Sequence, residues 1–179
     1  MAMETAQRWT IVAHGRLAMR ELRLTAARDR QHGLQIMTFE QLATRLAGGL
    51  LQPVDDETLR AVIQATLPVI ELGELDGIKT LPGMIDVTVD TLRKAWLAGI
   101  DLQARAADHP RLQSIARLEA AALAALPPAM KRPADLVAAA LQRLAHAPTL
   151  FGPVDIVGIT ELSPCWRPLL RGIAAGLPV

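Results

Sequence analysis

The chain contains a single cysteine, Cys165, and no tyrosine or asparagine in 179 residues. One cysteine excludes an intrachain disulfide framework, a four-cysteine zinc site and a self-contained four-cysteine iron–sulfur site. It also suits a reducing cytoplasm. Serine occurs only at Ser114 and Ser163, which leaves a serine triad few places to sit. No apolar run reaches about 18 residues, so no membrane span is expected. The opening MAMETAQRW lacks the basic-then-apolar pattern of a secretory signal. Neither G-x-x-x-x-G-K followed by Ser or Thr nor G-x-G-x-x-G occurs, so no loop that cradles nucleotide phosphates is expected. The four histidines, His14, His32, His109 and His146, have no metal-ligand spacing. Catalytic residues, metal and cofactor are therefore all absent from the expectations. Aromatics make up only 3% of the chain, and Ala, Leu and Arg dominate, a skew that reads first as a GC-rich genome.

What is present is ample apolar material, 51% of residues, enough for one domain with a large insert. The organising stretch is Trp9 to Leu46. Trp9–Ala13 is bulky and β-branched and reads as a strand. His14-Gly15 turns the chain, and a helix is expected from Arg16 to Arg30, with Leu17, Ala18, Leu22 and Ala26 towards one side. Leu34–Met37 reads as a second strand. Thr38 and Gln41 then form a capping-box signature at the start of a helix that carries Phe39, Leu42 and Leu46 on one face and ends at Gly48-Gly49. The order strand, helix, strand, helix suits a parallel βαβ unit. Such a unit cannot bury its sheet alone, and the other good strand is Val154–Ile159, near the opposite end of the chain.

The expected architecture is therefore α/β: a small parallel sheet built from both chain ends, residues 1–52 and 148–179, around a helical insertion over 53–147. Within the insertion, Asp55 or Asp56 can cap a helix to about Leu67. Pro82 opens a helix to about Ala98. Two Ala- and Leu-rich helices follow, Arg111–Leu126 and Ala134–Ala145. A last helix is expected between Pro164 and Ala175, and Val179 could begin a further strand, so the chain reads as part of something longer.

Charge is uneven although the formal net charge is only +1. Asp55 to Asp90 carries eight acids and two bases, net −6, and Thr91 to His146 carries eight bases and four acids, net +4. Residues 1–54 hold seven arginines and four acids, net +3. The acidic block is either an ordinary solvated surface or a face for a basic partner. Arg16, Arg20 and Arg23 fall at i, i+4 and i+7 on the first helix. That stripe is either a solvated face or an edge that contacts phosphates. Cys165 near a helix start could have a lowered pKa, but an inert small apolar residue is the simpler reading.

A family resemblance runs through these motifs. Thr10–Ala13, Arg16–Leu22 and Met37-Thr-Phe-Glu-Gln-Leu-Ala43 resemble the segments just after the nucleotide-binding loop of superfamily 1 DNA helicases. Val154-Asp-Ile-Val-Gly-Ile-Thr-Glu-Leu-Ser-Pro164 is similar to the B subunit of bacterial ATP-dependent helicase–deoxyribonuclease complexes, in its N-terminal helicase-like half. Leu81–Ile85 and Ala98–Ile100 resemble the helical insert of that group. The departures are specific: no phosphate loop is present, and Val157 stands where an active helicase has its magnesium-binding aspartate. Glu40 also replaces a histidine often seen after Thr-Phe.

The resemblance implies a non-catalytic, cytoplasmic helicase-like module in double-strand-break repair. Its partners would be a helicase–nuclease subunit and single-stranded DNA, with Arg16, Arg20, Arg23 and Thr38 as the DNA contacts. The competing reading is a helical protein–protein interaction module with no nucleic-acid role.

Overall fold

The computed structural model describes residues 8–13, 15–158 and 161–176. His14, Ile159, Thr160 and Val179 lie outside the described residues, as does the side chain of Arg16. In chain order the elements are β1 (Trp9–Ala13), α1 (Arg16–Arg28), β2 (Leu34–Met37), α2 (Phe39–Leu46), β3 (Gln52–Pro53), α3 (Asp56–Thr66), α4 (Met84–Leu97), α5 (Pro110–Ala125), β4 (Met130–Lys131), α6 (Pro133–Leu141), α7 (Ala147–Phe151), β5 (Val154–Val157) and α8 (Arg167–Gly176). Short 3-10 turns punctuate them. The chain is thus mixed α/β, with eight α-helices and a three-stranded parallel sheet among the described residues.

The residues form two compact units. The first takes residues 1–51 and 133–179, and the second takes 52–132. In the first unit the strand order is β2-β1-β5, all parallel. β1 is central: Ile11 pairs with Ile36 on one side and Asp155 on the other. A strand flanked on both edges and covered by helices should be apolar along its length, and Thr10 to Ala13 are all buried. Thr10 is the exception in chemistry, and its hydroxyl is satisfied by donating to the Phe151 carbonyl at 2.8 Å. Trp9 at the strand's start donates its indole N–H to Asp155 at 3.0 Å.

One face of this sheet, carrying Val12, Met37 and Val154, packs on α2, α6 and α8 through Leu42, Leu46, Leu136, Leu169 and Ile173. The Phe39 and Trp166 rings stack there, 5.9 Å apart. α1 contributes nothing to this cluster. It offers Met19 as its buried residue, with Ala18, Leu22 and Ala26 half-buried beside it, while Leu17 is 69% exposed. Ala18, Leu22 and Ala26 thus keep the expected inward side, while Leu17 falls off it and Met19 joins it. The helix also stops at Arg28 rather than Arg30, because Arg30 has φ of 52°, outside any helix.

The expected division at residue 148 moves to Pro133. α6 belongs to the α/β unit because Leu136, Val137 and Ala140 complete its core against α2. The second unit is also not wholly helical. The chain enters it through β3 and leaves through β4, and these pair in parallel, Gln52 with Met130 and Pro53 with Lys131. Its core gathers Leu59 and Ile63 of α3, Val89, Leu92 and Trp96 of α4, and Leu118 and Ala122 of α5. A fully buried carboxylate, Glu119, sits among them. It accepts from the Trp96 indole at 2.6 Å and from Arg132 at 2.9 Å. A buried charge is tolerable only when paired in this way.

The turn into β5 rests on Gly152, at φ of 62°. A Cβ there would overlap the Arg8 carbonyl oxygen, which is backbone and has no rotamer to yield. Gly152→Ala is therefore expected to cost at least about 3 kcal/mol, measured by urea denaturation. Gly49→Ala, also at positive φ but in open space, should cost about 1 kcal/mol.

Candidate nucleic-acid interface

The carboxyl end of β2 and the start of α2 form a polar concavity of the α/β unit. Thr38 caps α2: its hydroxyl accepts from the Gln41 amide at 3.3 Å, and the Gln41 side chain accepts from the Thr38 amide at 3.0 Å. Both halves of the expected capping box are present. The box fixes the Gln41 side chain and places Arg45, one turn further on, on the same side of α2.

Across from them, Arg23 of α1 donates to the Ile36 carbonyl at 3.2 Å, which draws its guanidinium over the end of β2. Arg23, Gln35, Ile36, Met37, Gln41 and Arg45 together line a hollow of about 400 Å³. A second hollow alongside is lined by Met19, Arg20, Arg23 and Leu24. Among the described residues no carboxylate lines either one.

Of the residues singled out by sequence, Arg20, Arg23 and Thr38 thus lie at or beside these hollows, and the α1 backbone carries Arg16 next to them. Arg45, Gln35 and Gln41 as lining residues went unnoticed. The signal for Arg45 was available, since it follows Gln41 at i+4 on a helix with a capping-box signature.

The electrostatics separate the two units. The second unit pairs its charges internally, for example Arg60 with Asp86, Arg93 with Asp56 at 2.7 Å and Lys94 with Asp90 at 2.6 Å. Arg20, Arg23 and Arg45 form no ion pair among the described residues. The acidic block of α3 and α4 is therefore largely neutralised by its own neighbours, whereas Arg20, Arg23 and Arg45 carry uncompensated positive charge on α1 and α2. An unpaired, exposed guanidinium is suited to bidentate contact with phosphate.

Chemistry beyond binding is sparse. Among the described residues no group of three His, Cys, Asp or Glu side chains could hold a metal ion. His109 is accounted for as a helix cap, its Nδ1 accepting from the Arg111 amide at 3.1 Å. Cys165 is buried beneath α2, and burial, with the Glu40 carboxylate second, pushes its thiol up to about 11. The shift opposes the lowering that a helix start could have given, so Cys165 packs as a small apolar residue. No helix among the described residues is long and apolar enough to cross a membrane. No family model, curated protein or solved structure matches the chain.

At pH 8 only about one Cys165 in a thousand carries a thiolate. A thiol-reactive aromatic disulfide should therefore label folded protein only as fast as the fold opens, and label urea-unfolded protein at once. Rapid stoichiometric labelling of the folded chain would contradict the buried, protonated assignment. Thr38→Ala should cost about 1 kcal/mol of stability through loss of the cap, and Thr38→Ser nearly nothing.

Proposed function

We propose that this chain is a non-catalytic, helicase-like module of a bacterial DNA double-strand-break repair helicase–nuclease. In this reading it works in the cytoplasm as a scaffold for the partner helicase–nuclease subunit, and its α/β unit contacts single-stranded DNA. The observation that carries the reading is the set of unpaired arginines, Arg20, Arg23 and Arg45, around acid-free hollows at the end of β2. In open parallel sheets, ligands bind outside the carboxyl ends of the strands, and a phosphodiester chain is the anion that rewards several guanidiniums in a row.

The parallel order β2-β1-β5 is compatible with the helicase-like motif order read from the sequence. Val157, at the end of β5, carries no carboxylate for magnesium, which favours a module that holds DNA without hydrolysing ATP. Sequence-tolerant, salt-sensitive binding follows from phosphate contact.

A second reading, a protein-interaction module without DNA, draws on the exposed apolar side chains Ile78, Leu81 and Val87 of the second unit.

Fluorescence anisotropy of labelled single-stranded oligonucleotides separates the two. Binding should appear at low salt and weaken as salt rises. Replacing Arg20, Arg23 and Arg45 together by Ala should cut affinity by roughly tenfold or more. It should also reduce the slope of log K against log salt by about 2, at about 0.7 per phosphate contact on a single strand. No binding at low salt would overturn the DNA contact and leave the interaction module. Binding with an unchanged slope in the triple variant would place the contact elsewhere.

A further inference from the structure

The second unit contains a cavity of about 240 Å³ that the proposed DNA contact does not use. Its walls are mainly apolar and come from α4, α5 and the turn before α4: Leu72, Met84, Leu92, Ile115 and Leu118. The second observation is polar. Thr88 lines this space and is 7% exposed, yet its hydroxyl makes no hydrogen bond among the described residues. The neighbouring hydroxyls are spent, Ser114 donating to the Leu72 carbonyl and Thr91 to the Val87 carbonyl, each at 2.7 Å. A hydroxyl that lines a cavity and has no partner in the protein is free to meet a polar atom of a ligand.

The third observation is charge. Arg111, in the first turn of α5, also lines the space. Its Nε lies 3.7 Å from a Glu74 carboxylate oxygen, a loose contact, and both side chains are mostly exposed. A guanidinium at a helix N-terminus is a place for an anion.

We propose that this cavity binds a small amphiphilic carboxylate. An aromatic ring or short hydrocarbon tail fills the apolar space, the carboxylate meets Arg111, and a polar atom of the ligand satisfies Thr88. An engineered apolar cavity of about 150 Å³ takes benzene, so this one has room for a ring bearing a short arm. Glu74 then acts as a competitor, occupying the guanidinium when the ligand is absent.

The test uses 3-phenylpropionate and its uncharged analogue 3-phenylpropan-1-ol, titrated into the intact chain by calorimetry. The acid is expected to saturate the protein and to bind at least about threefold tighter than the alcohol, the scale of a solvent-exposed ion pair. Arg111→Gln should abolish that preference while leaving alcohol binding in place. Glu74→Gln should strengthen the acid. Thr88→Val, which keeps the shape of the cavity, should weaken whichever probe it hydrogen-bonds by about fivefold. Equal affinity of acid and alcohol for the unmodified chain would overturn the carboxylate assignment. Absence of saturable binding by either probe in the millimolar range would overturn the site itself.

Discussion

The pairing of β1 on both its edges is the constraint from which the rest of the α/β unit follows. β2 is close in sequence and reaches β1 through a single helix, but β5 lies some 140 residues along the chain, as the Thr10-to-Phe151 hydrogen bond makes plain. Closing so long a loop costs entropy, though only logarithmically in its length. The return is a central strand with no open edge and a covered apolar face. Once β5 is seated, α6, α7 and α8 are delivered with it, and Leu136, Phe151, Leu169 and Ile173 close over Val12 and Met37. The intervening residues are then free to fold as a unit of their own, entered and left through the paired β3 and β4.

The division of labour between the units is electrostatic as well as topological. The second unit spends most of its cations on its own acids, in the core as Arg132 with Glu119 and on its surface along α3, α4 and α5. Exposed pairs of this kind add little stability, but they cancel charge that would otherwise attract or repel a partner. The first unit leaves the guanidiniums on α1 and α2 uncompensated around acid-free hollows. The near-zero net charge of the whole chain therefore hides a basic surface, and composition alone would have argued against a nucleic-acid partner.

Much of this was legible in the sequence because the governing interactions were local. The capping box at Thr38 and Gln41 was readable from two residues three apart, and the strand character of Trp9–Ala13 from its own side chains. What escaped depended on distant neighbours. α6 has no sequence mark assigning it to the α/β unit, because the decision rests on how Leu136 and Val137 fit against α2. The β3–β4 pair is too short to carry periodicity, and one of its residues is proline. Leu17 looked like core by spacing, yet it lies at the edge of the inward side that Ala18, Leu22 and Ala26 share with the buried Met19. Arg45 was passed over because its relevance comes from Arg23, on another helix.

The central claim is that uncompensated arginines of the α/β unit, and not the cations of the second unit, receive single-stranded DNA. Side-chain NMR of the arginine Nε–Hε groups, recorded during titration with an oligodeoxythymidylate, tests it most directly. The account predicts that Arg20, Arg23 and Arg45 shift together and saturably, while Arg60, Arg93, Arg105 and Arg117 stay where they are. Shifts confined to the second unit, or none at all at low salt, would contradict it.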